Sequence, residues 1–352
     1  MQYSSDNSTW STTIPSGTNA GNYTTYWRIV GDSNHKDKAS TSIITTISKA
    51  NGSVTTAPTA KSLTYNNTDQ ALVTAGSGTG TMMYKLGEGS WSSSIPTGKN
   101  AGNYTVYYKA AESSNYNESG SDSVTVTISK VTPTVTAPTP KTLTFNNSNQ
   151  VLAEAGSTNY GTMQYCLNSS TGTYSTTVPS ASAANVTYKV WYKVVGNSNV
   201  NDVAPASIDC MIAEKRVTSP TITLSQSTYT FDGNAKTPSV TVKDGTTTIP
   251  SSEYTVEYSN NINAGTATVT IIDNTAGNYY ISGSTTFTIN KASGSVTTAP
   301  TAKSLTYNNT DQALINAGSG TGTMLYKIGS GSWSSSIPTG KNAGDYTIYY
   351  KA

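Results

Sequence analysis

Charge is scarce in this chain. Asp, Glu, Lys and Arg make up 11% of 352 residues, against about 25% in an ordinary soluble protein. The formal net charge is only +2, so a phosphate-tracking surface for nucleic acid is excluded as an expectation. A single histidine, His35, and two cysteines, Cys166 and Cys210, are too few for a self-contained His/Cys zinc site or repeated His-based chemistry. No apolar run approaches the ~20 residues of a membrane helix, so membrane insertion of this segment is not expected. No charged-then-apolar leader follows Met1, and a secretion signal would have to lie outside these residues. Aliphatic core material is thin as well. What takes its place is aromatic: 24 Tyr and 5 Trp set among Ser, Thr, Asn and 29 Gly. That mixture suits half-buried sheets and short turns.

Self-similarity decides the organisation. Residues 49–110 recur at 291–352 with eight differences in 62 positions, a shift of 242. A further copy lies 81 residues earlier: Trp10 matches Trp91, Ile14-Pro15 matches Ile95-Pro96, and Ile47-Ser48-Lys49 matches Ile128-Ser129-Lys130. The shift of 242 is therefore three units of about 81 residues. The expected organisation is a partial unit at 1–49, full units at 50–130, 131–215 and 216–291, and a partial unit at 292–352. The first would lack its opening strands and the last the strand equivalent to Val124–Ile128. Both would leave unpaired sheet edges, less stable than the full units and prone to pairing with other chains.

Within 50–130 the apolar pattern has period two. Tyr104, Val106 and Tyr108 share one face, with Thr105, Tyr107 and Lys109 on the other; Val124, Val126 and Ile128 alternate with Thr125, Thr127 and Ser129. Tyr84 and Leu86 precede a Gly87-Glu88-Gly89 turn and Ser90-Trp91-Ser92 follows, which predicts a hairpin. Turn residues recur every 8–12 positions and no stretch keeps a helical period. About seven short strands per unit predict a two-sheet antiparallel sandwich. The junctions at 129–133 and 215–220 are short and contain proline, which favours stiff, extended connections.

One local motif gives the sandwich a family likeness. Asn100-Ala101-Gly102-Asn103-Tyr104-Thr105-Val106 resembles the immunoglobulin corner in which a Tyr precedes the second Cys by two residues; Val106 stands in the Cys position. The motif recurs around Tyr23 and Tyr346. In the third unit Tyr188 is kept while Val186 takes the glycine position; in the fourth Asn263-Ala264-Gly265 is kept and Ala267 replaces the Tyr. The whole chain resembles the tandem immunoglobulin-like repeats of large bacterial surface proteins and some phage appendages. The pattern is carried by Ala57-Pro58 through Asn66, Gln70-Ala71-Leu72, Trp91, Ile95-Pro96 and Ala101–Tyr104, with 216–291 resembling a sister subtype. The resemblance implies an all-β, elongated array of immunoglobulin-like β-sandwiches. It also implies that Tyr23, Tyr104, Tyr188 and Tyr346 bond back to the backbone and pin the corner.

Candidate sites are few. Trp10, Trp91 and Trp333 stand at equivalent places, with Tyr174 in the third unit. An aromatic repeated once per module could stack on sugars; the favoured alternative is that each ring covers the edge of its own core, beside Tyr84 or Pro96 in the second unit. Cys210 aligns with inward Val126 and Cys166 with Lys85, so Cys166 should face outward and no disulfide is expected. Asp32, Asn34 and Asp37 share a polar loop, but the loop lacks the Asp-x-Asp-x-Asp-Gly order of a calcium site and reads as solvated. No unit places a Lys, an Asn and an acid together inward as an isopeptide bond would need. No phosphate loop, nucleophile elbow, zinc-protease motif or recurrent acid pair is present.

The expectation is thus a non-enzymatic, cofactor-free extracellular stalk of a bacterial surface protein or adhesin. With units of about 35–40 Å, it would project a distal domain by on the order of 150–200 Å. The alternatives are a multivalent array binding surface glycan or a host or cell receptor, and a phage fibre segment. Adjacent repeats of the same parent chain would be its other partners.

Overall fold

The computed structural model describes all 352 residues, and they are all-β; the sole helical element is one 3-10 turn at Ser251–Glu253. Two compact units are formed. The first comprises Met1–Leu143, Ser148–Ser182 and Val186–Met211; the second comprises Thr144–Asn147, Ala183–Asn185 and Ile212–Ala352. Residues of the third repeat are shared between them.

In the first unit, residues 50–130 show the module in full. A four-stranded sheet runs Leu63–Thr64, Asp122–Ser129, Gly102–Ala110, Met82–Leu86 in spatial order. Its pairings are antiparallel save Ile128 and Ser129, which lie parallel to Leu63 and Thr64. The opposing layer is built of short pairs, Val54–Thr56 with Ser77–Gly78 and Gln70–Ala71 with Thr97–Gly98. The alternation in the sequence sets which side chains fill the space between. Leu72, Val73, Tyr84, Val106, Tyr108, Val126 and Ile128 are buried together, while Thr105, Tyr107 and Lys109 point to the other face. At about 25 cal/mol per Å² of apolar surface, burying each such side chain contributes roughly 1.5–3 kcal/mol. That is how a chain poor in aliphatics closes a core: one or two tyrosines per layer replace the missing Leu and Ile.

Residues 1–49 contribute a three-stranded sheet, Gln2–Ser4, Gly21–Ile29 and Lys38–Ile47. In the second unit, residues 216–291 carry a four-stranded sheet ordered Thr228–Thr230, Gly283–Asn290, Gly265–Asp273, Tyr254–Ser259, and a three-stranded one, Thr221–Leu224, Val240–Asp244, Thr247–Thr248. Ala267, Val269, Phe287 and Ile289 form the buried centre, with Tyr229 edge-on to Phe287 at 5.5 Å. Residues 292–352 keep the short pairs but have only Leu325–Ile328 and Ile348–Lys351 in the sheet that is four-stranded in 50–130 and 216–291.

Cys166 corrects one expectation. It does lie on the face opposite Tyr165 and Leu167, in register with Trp191, but it is buried. The long hairpin after it folds back so closely that a Cβ on Gly172 would come within 2.7 Å of the Cys166 sulfur. Cys166 and Cys210 are both free thiols, and burial pushes the Cys210 thiol pKa up.

Candidate functional site

Two features recur among the modules: an aromatic on the outward sheet face in four of them and a polar lock at three of the junctions. The aromatic is placed by hairpin pairing. Ser92 exchanges both backbone bonds with Tyr84 (2.7 and 2.9 Å), so Ser92 shares the inward face of Tyr84 and its neighbour Trp91 is turned outward. There Lys109 and Lys85 place their ammonium groups 4.7 and 5.5 Å from the indole centre. Lys351 and Lys327 do the same for Trp333, at 4.7 and 5.2 Å. Arg28 covers Trp10 at 4.3 Å, steadied by two bonds to Gln2 Oε1. Lys193 covers Tyr174 at 4.2 Å.

The four positions are thus structurally equivalent, and each ring has a cation over it, an arrangement worth about 0.5–1 kcal/mol at exposed sites. Each ring thus stands on the sheet face that carries its cations, partly buried at Trp10, Trp91 and Tyr174 and 39% exposed at Trp333. The ring sits on the sheet's outer surface because one-residue parity in the hairpin puts it there. The sheet separates it from the core.

The corner tyrosines bond to the backbone four residues upstream. Tyr23 donates to the Asn19 carbonyl at 2.7 Å, Tyr104 to Asn100 at 2.7 Å and Tyr346 to Asn342 at 2.9 Å. Tyr188 is buried, opposite Cys210 in register. Gly102 has φ +149°, a backbone state that side chains rarely adopt, which explains glycine at this place in four units. In the third unit Val186 stands there, and the neighbouring Asn185 takes a positive φ of 57° instead.

The corner also faces the next module, and here lies a set of residues that motif reading missed. Asn115 accepts the Ala20 N–H at 2.8 Å and donates its amide to Asn19 Oδ1 at 2.9 Å. Asn199 repeats both contacts: it accepts from Ala101 N–H at 2.8 Å and donates to Asn100 Oδ1 at 3.0 Å. The connecting backbone is clamped at the same place. Ala50 N–H bonds Asn115 O at 3.0 Å, and Asn117 N–H bonds Ala50 O at 2.8 Å; Val131 stands in the same relation to Asn199 and Asn201, at 3.1 and 2.9 Å.

Inside the second compact unit Asn278 accepts the Ala184 N–H at 2.7 Å. Lys215–Val217 pairs in parallel with Tyr279–Ile281 there, and Phe145 packs edge-on to Tyr279 at 5.2 Å. The buried carboxylate of Glu253 anchors this loop by accepting Asn278 N–H at 2.6 Å, Tyr279 N–H at 3.2 Å and the Asn278 amide at 3.2 Å. Asn34, Asn115, Asn199 and Asn278 each follow the corner position (Tyr23, Tyr104, Tyr188, Ala267) by 11 residues. That spacing was the available signal.

The polar loop at 31–37 spends its carboxylates on its own amides. Asp32 accepts Asn34 N–H (2.8 Å), His35 N–H (2.9 Å) and the His35 ring at Nδ1 (2.9 Å), and Asp37 accepts Gly31 N–H (2.6 Å). These bonds, that from Asn34 first, hold the Asp32 carboxyl below its ordinary pKa. No three His, Cys, Asp or Glu side chains gather as a metal ion would require.

No protein-family model matches the chain, and no curated protein matches it significantly. Among solved structures it is similar to Sidekick-1 immunoglobulin domains 1–5, with 11% identity, 80% of this chain and 68% of that one covered, and a TM-score of 0.21. It is also similar to Drosophila N-cadherin EC1–4, with 12% identity, coverages of 77% and 83%, and a TM-score of 0.24.

Proposed function

We propose that this chain is a non-enzymatic, extracellular stalk segment of a bacterial surface protein or adhesin, a spacer that holds a distal domain away from the surface. The observation that carries the reading is the repeated junction. An asparagine at one fixed offset ties the corner of one module, and a backbone clamp ties the connecting residues, so residues 50–130 are fastened to 1–49 and residues 131–201 to 50–130. A passive spacer needs that and little else. The low charge leaves no steering field, and the polar side chains of the outer faces serve solubility. The same construction would serve a phage fibre. The test is small-angle scattering of the chain and of Asn115→Ala with Asn199→Ala: the spacer reading expects a maximal dimension on the order of 150–200 Å, shortened and broadened in its distribution by the double substitution. An unchanged distance distribution sinks the reading.

A second reading is favoured by the outward Trp10, Trp91, Tyr174 and Trp333. Rings repeated on the outer sheet face, where core packing does not need them, suit a row of weak sites for surface glycan or a cell receptor, with avidity supplied by multivalency. Glycan-array binding lost in Trp91→Ala with Trp333→Ala, at unchanged circular dichroism, would favour it over the spacer.

A further inference from the structure

On the outer sheet face of residues 50–130, Trp91 is one member of a larger set. Lys85 and Tyr107 pair in register across adjacent strands. The Lys85 ammonium lies 4.9 Å from the Tyr107 ring centre and 5.5 Å from that of Trp91. Two residues past Tyr107, on the same face, Lys109 stands 4.7 Å from Trp91. The central strand thus presents an aromatic and then a cation, with the hairpin aromatic beside them. The set recurs as Tyr26, Arg28 and Trp10, as Trp191, Lys193 and Tyr174, and as Tyr349, Lys351 and Trp333.

The charges of this set are mostly unanswered. Elsewhere Lys49, Lys141, Lys189, Lys215 and Lys236 each face a carboxylate. In the three modules of residues 1–211, only Lys109 among the ring cations does so, with Glu118 at 2.6 Å. Arg28, Lys85 and Lys193 are in no ion pair. The rings beside them, Trp10, Trp91, Tyr107, Tyr174 and Trp191, are half-buried and so keep an accessible part. The fourth module is the exception. Thr270 and Ile272 stand where Tyr107 and Lys109 do, and Glu257 is in register with Thr270, in the place of Lys85. Ring, cation and sign of charge are lost together.

We propose that the sheet faces carrying this set bind an anionic glycan, a polysaccharide with carboxylate or sulfate groups on its sugars. A sugar ring lays its C–H face on the hairpin aromatic, against the negative face of the π-system. Its acidic group then draws the neighbouring ammonium or guanidinium away from the ring. That exchange is favourable, because a charge-assisted hydrogen bond to an anion is stronger than a cation–π contact at an exposed site. A polymer with repeated acidic groups engages more than one module and gains avidity. This site rests on the glycan reading of the same rings and adds to it the charge of the ligand.

The probes are an oligogalacturonate and its methyl ester, which share one backbone and differ in charge. Each is added to the full chain and followed by calorimetry and hydrogen exchange. The acid should bind about tenfold more tightly than the ester, and the preference should shrink as salt rises from about 20 to 200 mM. Protection should fall on Met82–Leu86, Gly102–Ala110 and Thr187–Val195 and leave Tyr254–Ser259 and Gly265–Asp273 as they were. Combining Arg28→Gln, Lys85→Gln, Lys193→Gln, Lys327→Gln and Lys351→Gln should bring the acid's affinity down to that of the ester, at unchanged circular dichroism. Equal binding of acid and ester by the unaltered chain overturns the proposal and leaves the glycan reading standing. No binding of either overturns it too, and if a neutral glycan array is also blank the glycan reading falls with it. An acid preference that survives the five substitutions, protection of the fourth module's sheet, or tighter binding of a single-stranded polynucleotide than of the acid would each overturn it as well.

Discussion

Residues 49–110 and 291–352 differ at eight of 62 positions, yet they do not have the same structure. In the first stretch Gly102–Ala110 is one continuous strand of nine residues; in the second only the four residues Ile348–Lys351 are strand. Leu63–Thr64 is a strand, whereas 305–306 is not. Val106 is fully buried and Ile348 only partly so. The sequences are close enough that propensity cannot be the cause. What separates them is Asp122–Ser129, which pairs with both edges in the first copy and sends Val124, Val126 and Ile128 inward. Strand length and burial are therefore properties of the completed sheet, and the local sequence supplies only the alternation that makes completion productive.

The sharpest way to break the comparison is to remove that strand's contribution. Val126→Asp puts a charge at a fully buried position with no partner, which should cost upward of about 4 kcal/mol. Hydrogen exchange over Met82–Leu86 and Gly102–Ala110 should then rise to the rates of Leu325–Ile328 and Ile348–Lys351. If the two copies still exchange differently, the flanking strand is not what distinguishes them. A milder test uses equivalent leucines: Leu72→Ala, at a fully buried site, should cost about 2–5 kcal/mol. Leu314→Ala should cost less than half of that, because its side chain is only partly buried. Exchange-derived opening energies of each module measure both, and equal losses would contradict the burial difference.

Next in size are the junctions. Asn115→Ala leaves the Ala20 N–H without its acceptor, a loss of about 1–3 kcal/mol for an unsatisfied donor. It should speed exchange at Ala20 and Ala50 while leaving the strands of both modules unchanged. Asn34→Ala, at the equivalent place in residues 1–49 where the side chain is exposed, should change no strand's exchange. A matching effect from the two substitutions would mean that the asparagine serves its own loop and does not couple modules.

How much of this was legible beforehand depends on the range of the interaction. The alternation of Tyr104, Val106 and Tyr108 announced their common face, and the corner motif announced a bond four residues long. Both are local, so a linear reading reaches them. Trp91 required one step more: its face depends on the register of the hairpin partner, and pairing Ser92 with Tyr84 turns it outward. Cys166 was placed on its proper face but not under the hairpin that covers it, because the return path of residues 168–174 is not encoded by periodicity. Asn115, Asn199 and Asn278 looked like ordinary loop residues, since their partners across the junction lie 94–99 positions away. Their constant spacing from the corner was visible and carried the information.

The smallest expected effect is at high pH, in residues 50–130. Burial, then the nearby Asp122 carboxylate at 3.2 Å from the phenol oxygen, pushes the Tyr108 pKa above its ordinary value of 10. The folded module therefore holds this proton at a pH where the unfolded chain has released it. Its stability is unaffected below pH 10 and falls as pH rises from there through the raised value. Tyr108→Phe removes the ionisable hydroxyl. It should flatten that alkaline decline in 50–130, read as exchange-derived or tryptophan-monitored stability between pH 9 and 11. A decline in the first module that survives Tyr108→Phe would place its origin in another group.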